Sequence, residues 1–326
     1  TARPESYFEA IRGWQKRRNG WDTDTALMSF SPGVVQTLSV MIRLYTPQNG
    51  NVLIQTPVYG EFYDMTELAG RHVIENQLVE QGGAWTVDWA DFEEKLRSAD
   101  IFLLCNPHNP LGIVWTEEEL RRMMELCLKH HVLVMSDEIH SDLIAKGHKH
   151  VVYAKLGKEF EQNCAVCHAP SKTFNLAGLQ LSCILIPNEK IREKFDAIQN
   201  RYSITSPNYF APVAAKAAWK DGEDWLAAVY EYMFGNYEFI VDFCKKTWGD
   251  KVIVSPLEGT YLAWLDFRQL ESDPDKLQDL VRKEAKVALD EGYIFGPEGA
   301  GFERINLACP RELIVELMER LAKVIK

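Results

Sequence analysis

Short apolar runs alternate with helix-type patterns along the first two thirds of the chain. The runs are nearly continuous in apolar side chains, which indicates strands buried on both faces. Strands are predicted at residues 52–55, 101–105, 132–136, 165–168 and 182–186, and helices at 36–44, 59–69, 117–130 and 189–200. Thr116 and Glu119 have the spacing of a capping box at the start of one helix. This alternation predicts an α/β domain with a largely parallel sheet.

The last third of the chain shows a second, shorter group of elements. A long aromatic-rich helical segment at 221–248 precedes a strand at 261–266, a helix around 275–290, a strand at 304–308 and a last helix from Arg311. A chain of 326 residues is long enough for one large and one small domain. We predict a large domain at residues 1–225 and a smaller C-terminal domain at residues 226–326.

Charge and composition narrow the classes of partner. The net charge of −11 and the lack of a long basic run argue against nucleic acid as a partner. The chain contains no run of eighteen apolar residues, so we expect no membrane span.

The cysteines are scattered along the chain. Of the seven, Cys164 and Cys167 lie on a predicted strand, where they face opposite sides. We therefore expect free thiols in a reducing compartment, the cytoplasm. The start, Thr1-Ala2-Arg3-Pro4, lacks an initiator Met and a signal-peptide pattern, so we expect a trimmed N-terminus from which targeting information could have been lost.

Three polar side chains follow three predicted strands, at the edge where open α/β sheets bind ligands. They are Asn109, Asp137 and Lys172. A lysine can form a Schiff base with an aldehyde, an aspartate can keep a proton on a pyridine nitrogen, and an asparagine can hydrogen-bond a phenolic oxygen. Together they predict a site for pyridoxal 5'-phosphate (PLP). Taken singly, each also fits a structural role, as a surface lysine, a helix cap and a turn residue.

Four further residues are candidates for holding such a cofactor. Tyr59 ends a strand-to-helix turn, where its ring could stack on a flat cofactor or fill the core. Val34 and Val35 precede a predicted helix, and free N–H groups at a helix start favour phosphate. The Ser171 hydroxyl is either a turn group or a phosphate ligand.

Arg304 and the histidines carry further hypotheses. Arg304 lies on a predicted strand, where a charge is unusual unless paired, and its guanidinium suits a substrate α-carboxylate. His140 could contact the phenolic oxygen of the cofactor or fill a gap. His140, His148 and His150 lack carboxylate or cysteine support at ligand spacing, so we predict no metal site.

Six stretches resemble one family in its own order along the chain. The chain resembles fold-type I PLP enzymes of the aminotransferase class I/II superfamily, and within it the cystathionine β-lyase branch, the MalY/PatB group of C–S lyases. The stretches are Pro-Val-Tyr at 57–59, Cys-Asn-Pro-His-Asn-Pro at 105–110, Ser-Asp-Glu-Ile-His-Ser-Asp at 136–142, Ala-Pro-Ser-Lys-Thr-Phe-Asn at 169–175, Gly-Thr-Tyr-Leu-Ala-Trp-Leu-Asp at 259–266 and Arg-Ile-Asn-Leu-Ala-Cys-Pro-Arg at 304–311.

The resemblance implies a fold, a cofactor and roles for residues. The implied fold is a large domain with a mostly parallel seven-stranded sheet plus a smaller C-terminal α/β domain, assembled as a homodimer. Lys172 is implied as the catalytic residue that binds PLP covalently, and Asp137 as the partner of the pyridine nitrogen. The implied cofactor-binding set is Val34, Val35, Tyr59, Asn109, Asp137, His140, Ser171 and Lys172, and the implied substrate-binding set is Tyr59, Asn109 and Arg304.

The resemblance also implies an activity, cleavage of L-cystathionine or related cysteine S-conjugates to pyruvate, ammonia and a thiol. Leu111 and Gln180 differ from many superfamily members, and Gln180 stands where many transaminases place a phosphate-binding arginine. The same site residues would serve an aminotransferase acting on amino acids and 2-oxo acids, which stays an alternative. A non-catalytic binding protein is a third possibility, but Lys172 argues against it. The resemblance further implies an N-terminal arm with a tyrosine that reaches the neighbouring subunit's phosphate.

Overall fold

The structure, a computed structural model, describes residues 5–326 and has a seven-stranded sheet at its centre. The strands are β1 (Met28–Ser31), β2 (Asn51–Thr56), β3 (His72–Gln77), β4 (Val79–Gln81), β5 (Ala84–Thr86), β6 (Ile101–Cys105), β7 (Leu133–Asp137), β8 (Cys164–His168), β9 (Ser182–Leu185), β10 (Ile253–Val254), β11 (Leu262–Asp266), β12 (Asp290–Glu291) and β13 (Phe302–Asn306). The helices are α1 (Glu5–Asn19), α2 (Val34–Tyr45), α3 (Glu61–Leu68), α4 (Trp89–Leu96), α5 (Glu117–Lys129), α6 (Lys158–Glu161), α7 (Pro170–Thr173), α8 (Glu189–Arg201), α9 (Ala211–Asp221), α10 (Glu223–Trp248), α11 (Pro274–Asp279) and α12 (Arg311–Val324).

The central sheet has the order β1-β9-β8-β7-β6-β2-β3. Its pairs from β8 to β3 are parallel, and β9 runs antiparallel to both β8 and β1. The prediction of a mostly parallel seven-stranded sheet is therefore confirmed. Because β6, β7 and β8 are parallel neighbours, their carboxyl ends lie side by side at one edge.

Two apolar layers cover the two faces of this sheet. Along β6, Phe102 and Leu104 belong to one buried cluster, while Ile101, Leu103 and Cys105 belong to the other. Helices α1, α4 and α5 pack on the first face, and α2, α3 and α8 pack on the second. A strand buried on both faces needs apolar residues at every position, which is why its sequence reads as a continuous apolar run.

The cysteines follow the same alternation. Cys164 and Cys167 on β8 lie in opposite clusters, as the strand period predicts. All seven cysteines are free, and all except Cys309 are buried. Within residues 5–326, no helix combines the length and the apolar character that a membrane crossing requires.

A second sheet lies in the C-terminal part, with the order β10-β11-β13-β12. The prediction of one helix around 275–290 is wrong there. Helix α11 ends at Asp279, a π-helical turn follows at Leu280–Glu284, and Asp290–Glu291 then pairs with β13. The pairing with β13 satisfies backbone groups that a longer helix would have satisfied within itself. The division at residues 225 and 226 stays a proposal.

The helical segment predicted at 221–248 is confirmed as the single helix α10, and Gly222 separates it from α9. A Cβ atom on Gly222 would lie 2.4 Å from the Ala218 carbonyl oxygen and 2.6 Å from Cε1 of Phe174. Only glycine therefore fits this junction. The predicted capping box at Thr116 and Glu119 is confirmed.

Candidate active site

A cavity of about 370 Å³ opens at the carboxyl edge of the central sheet. Its size suits a small organic ligand. The residues that line it are Pro32, Gly33, Val34, Val35, Gln36, Leu38, Tyr59, Glu61, Cys105, Asn109, Asp137, Ile139, His140, Ser171, Lys172, Ala177 and Gln180. All eight residues of the predicted cofactor-binding set line this one cavity, although they come from distant parts of the chain.

Asp137 is the last residue of β7 and lies buried in the cavity wall. Its Oδ1 accepts a hydrogen bond from the Ile139 amide at 3.1 Å. Burial raises the pKa of Asp137 to about 6, and the Ile139 amide and the positive charge of Lys172 act in the opposite direction. Among the described residues, Asp137 forms no ion pair. A cationic N–H group of a ligand would therefore lower the free energy of the ionised carboxylate.

Lys172 lies on α7, a single helical turn that follows β8. Pro170 occupies the first position of this turn, where its missing N–H costs nothing. Both Ser171 and Lys172 are partly buried and line the cavity. The lysine ammonium and the Asp137 carboxylate thus border the same enclosed space.

Asn109 lines the cavity and also contacts Arg304, which lies 195 residues further along the chain. Arg304 Nη1 donates to Asn109 Oδ1 at 2.8 Å, and Nε and Nη2 donate to Asp290 Oδ2 at 3.1 and 2.7 Å. An arginine has five N–H donors, so these three contacts leave one N–H on each terminal nitrogen for a ligand. This geometry suits a carboxylate that accepts from both nitrogens.

Arg304 does not line the cavity that contains Lys172. It lines an adjoining cavity of about 560 Å³, and Tyr59 and Glu61 line both. The Arg304 guanidinium also lies over the Phe295 ring, 4.5 Å from its centroid. Within the protein, Arg304 forms an ion pair with Asp290.

Tyr59 and His140 border the cavity as uncharged groups. Burial is the main cause that raises the pKa of Tyr59 to about 12. Burial also lowers the pKa of His140 to about 3, and the charges of Lys172 and Arg304 add to this shift. The His140 ring packs against Tyr261, with ring centroids 5.5 Å apart, and its Nδ1 is buried without a hydrogen-bond partner among residues 5–326.

The first residues of α2 border the cavity. Gly33 is the N-cap residue, and no side chain caps the helix. Val34, Val35 and Ser171 all line the cavity at this end. The first N–H groups of a helix have no partner within it, so they can bind an anion.

A buried acidic residue lies directly after Asp137 in the chain. Glu138 is fully buried, and its Oε2 lies 2.8 Å from His150 Nε2 and 3.9 Å from His168 Nε2. Its Oε1 accepts from the Tyr153 amide and the Ser136 hydroxyl, both at 2.9 Å. The pKa of Glu138 is lowered, because the charges and hydrogen bonds of these partners outweigh burial.

The three histidines considered as metal ligands lie in different parts of the structure. His140 borders the cavity, His150 pairs with Glu138, and His148 lies 3.9 Å from Glu258. In the part of the chain that the structure describes, no group of three or more histidine, cysteine or acidic side chains is arranged to hold a metal ion.

Sequence reasoning missed several residues at the site. Glu61 begins α3, Cys105 ends β6, and Asp290 holds Arg304. Glu61 and Cys105 lie near the ends of predicted elements, and this position could have marked them as site candidates. Nothing in the local sequence marks Asp290 as a site residue, because its strand of two residues forms only by pairing with β13.

The sheet, and a lysine, an aspartate and an asparagine at its carboxyl edge, define the class of fold-type I PLP-dependent enzymes. The family model for aminotransferase class I and II matches residues 5–321, so the chain belongs to that family. This assignment confirms the resemblance inferred from the sequence motifs.

Three relatives are similar along almost the whole chain. Cystathionine beta-lyase PatB of Bacillus subtilis is 41% identical over 315 residues, which cover 96% of this chain and 81% of PatB. Protein MalY of Escherichia coli is 33% identical over 325 residues, which cover 99% of this chain and 82% of MalY. The crystal structure of cystalysin from Treponema denticola, which contains PLP, has a TM-score of 0.96 and 35% identity, and the match covers 99% of this chain and 82% of cystalysin.

Proposed function

We propose that this protein is a PLP-dependent carbon–sulfur β-lyase that cleaves L-cystathionine or related cysteine S-conjugates. The observation that carries the proposal is the single cavity that gathers Lys172, Asp137 and Asn109. Similarity to a cystathionine beta-lyase, 41% identical over 96% of this chain, supports the lyase activity within the family.

The residues around the cavity fit PLP. Asp137 would bind the ring nitrogen, because its buried carboxylate has no cationic partner in an ion pair among the described residues. Ser171 and the Val34 and Val35 amides would bind the phosphate, and Tyr59 would pack on the ring. Asn109 and His140, which line the same cavity, would contact the phenolic oxygen.

When bound, PLP supplies an aldehyde that takes up the substrate amine and a ring that withdraws electrons from the substrate α-carbon. Lys172 Nζ would remove the α-proton and hold it. Asp137 would keep a proton on the ring nitrogen, which maintains the electron withdrawal. Both roles need the side chains to face one enclosed space, as Lys172 and Asp137 do here.

The substrate carboxylate is assigned to Arg304. Asp290 fixes the guanidinium from one side and Asn109 Oδ1 fixes it from the other. Because Asn109 also lines the cavity of Lys172, it would place the carboxylate and the reacting α-carbon at a fixed separation.

Elimination follows from the leaving group on the β-carbon. Once the α-proton is on Lys172, the electron pair forms the Cα–Cβ double bond, and the Cβ–S bond breaks with its electrons on sulfur. The thiolate leaves, and hydrolysis of the released aminoacrylate gives pyruvate and ammonia. Without such a leaving group, the same residues would support amino transfer.

With L-cystathionine as the sole substrate, we expect the enzyme to release pyruvate, ammonia and a free thiol in equal amounts. No 2-oxo acid should be needed, because elimination regenerates the cofactor in each turnover. Coupled lactate dehydrogenase measures the pyruvate, and a thiol reagent measures the thiol. The comparison assay uses an aromatic amino acid with 2-oxoglutarate.

Rapid amino transfer in the comparison assay, with no thiol from cystathionine, would replace the lyase with an aminotransferase. The family assignment is the observation that favours this second candidate. Gln180 favours the lyase, since it lines the cavity where many transaminases place an arginine.

The protein is further proposed to act as a homodimer with its active sites near the interface. Large apolar side chains are exposed in the segment 202–213, among them Tyr209 at 86% and Phe210 at 73%. Such a patch favours association. Asn208 in this segment donates to the Leu179 carbonyl oxygen, in the loop that continues to Gln180 at the cavity wall. A partner covering the patch would therefore lie beside the site.

Replacing Tyr209 and Phe210 with serine is expected to shift the protein from dimer to monomer in sedimentation velocity. The apolar area that drives association is lost, and activity per chain should fall with it. Leu68 on α3 is 81% exposed, so Leu68→Ser serves as a matched control. A fully active monomeric wild-type protein would contradict the proposal.

A further inference from the structure

Behind the lysine turn lies a buried carboxylate whose two oxygens are both hydrogen-bonded. Asp142 is 7% exposed, and its Oδ1 accepts from Trp14 Nε1 at 2.8 Å. Its Oδ2 accepts from Thr173 Oγ1, also at 2.8 Å. These two bonds connect α1, the loop after β7 and α7, three segments that are far apart in sequence.

Thr173 is the residue directly after Lys172, on a helix of only four residues. A single helical turn is not stable by itself, so contacts with other segments must fix its orientation. Phe174 adds a second attachment to the same tryptophan, with its ring centroid 5.6 Å from that of Trp14. It also stacks on Trp225 of α10, at 6.0 Å.

Asp142 does not line the cavity that contains Lys172. Among the described residues it borders a separate groove between α1 and α10, with Arg18 and Leu226. A residue in that place cannot touch a substrate bound beside Lys172. Its effect on the reaction must pass through Thr173.

We propose that Asp142 is a positioning residue, whose carboxylate holds the turn that carries Lys172 against Trp14 of α1. The inference rests on the proposed function in one respect, the reactivity of the Lys172 amine. Fixing Thr173 restricts the backbone of the turn, and this restricts the direction in which the adjacent Lys172 side chain enters the cavity. A small misplacement of a reacting group can reduce a rate by about 100-fold.

The chemistry of the two partners explains why position 142 needs a side chain with two polar atoms. The Trp14 indole can only donate, so it needs an acceptor. The Thr173 hydroxyl donates to the second oxygen, although a hydroxyl can also accept. Asparagine at 142 could therefore accept from Trp14 and donate to Thr173, whereas alanine would break both bonds.

The first test measures kcat, KM and the pH dependence of kcat for cystathionine in the variants Asp142→Ala and Thr173→Val. Each variant should lower kcat by about 10- to 100-fold, with a much smaller change in KM. The pH dependence of kcat should shift, because the Lys172 amine lies in a changed environment. The double variant should be no worse than the poorer single one, since both changes remove the same link.

Two conservative variants and one control complete the design. Asp142→Asn should retain most of the kcat that Asp142→Ala loses. Thr173→Ser should likewise retain most of the kcat that Thr173→Val loses. Asp266, at the end of β11 in the second sheet, is also 7% exposed and pairs with Arg268 at 2.6 Å. Asp266→Ala should lower thermal stability and leave kcat and its pH dependence unchanged.

A readout outside catalysis is the rate at which the apoenzyme takes up PLP, followed by its visible absorption. This rate should fall in Asp142→Ala and Thr173→Val and recover in the conservative variants. Wild-type kcat in folded Asp142→Ala, strictly multiplicative losses in the double variant, or an Asp142→Asn as poor as Asp142→Ala would overturn the proposal. Normal turnover by Lys172→Ala would instead overturn the proposed function, so the two failures are distinguishable.

Discussion

Replacing Lys172 with alanine is expected to lower kcat for cystathionine by at least about 1000-fold. The amine at this position has two tasks in the proposed reaction, since it binds the cofactor covalently and removes the α-proton. Among the described residues that line the cavity, Lys172 is the only lysine, so no other amine there can take over. PLP should still bind through Asp137 and the amides of α2, with altered visible absorption.

One variant separates the reactivity of the Lys172 amine from its charge, and a second serves as a control. Lys172→Arg keeps a positive charge near Asp137 but provides no nucleophile at neutral pH, so it should be as inactive as Lys172→Ala. Lys190 is an exposed lysine of α8, and Lys190→Ala should behave as wild type. Steady-state assays with matched PLP occupancy test this set. A Lys172→Ala enzyme within tenfold of wild type would rule out the assignment.

Replacing Arg304 with alanine is expected to cost about 2–5 kcal/mol in transition-state binding, roughly a 30- to 5000-fold loss in kcat/KM for amino acids. The substrate carboxylate would lie unpaired in a partly buried site, since the Arg304 side chain is only 14% exposed. Amines that lack the carboxylate should lose little, because they leave no charge unpaired.

The pair with Asp290 provides the control for a structural role of Arg304. The Asp290 side chain is 45% exposed, so water can solvate it when the arginine is removed. Asp290→Ala should therefore reduce kcat/KM much less than Arg304→Ala does. Equal losses in the two variants, or equal losses for amino acids and simple amines, would show that Arg304 is structural.

The local sequence predicted strands well where a strand is buried on both faces. The predicted strand at 101–105 coincides with β6, because continuous burial requires an apolar residue at each position. Helix α5 was located because its N-terminus carries a complete capping box, a signal confined to four residues. Asn109, Asp137 and Lys172 were found as site candidates because parallel strands bring their carboxyl ends to one edge.

The sequence by itself determined the class of fold and the set of residues proposed to hold PLP, since both depend on local patterns and on chemistry at strand ends. Tertiary structure alone decided that Asp290 and Asn109 hold Arg304, and that Asp142 connects Trp14 to the lysine turn. It also ended α11 at Asp279 and paired Asp290 and Glu291 with β13, although the sequence predicted one helix over this whole segment. These features depend on contacts between residues far apart in the chain, and a hydrogen bond of this kind leaves no periodic signal in the sequence.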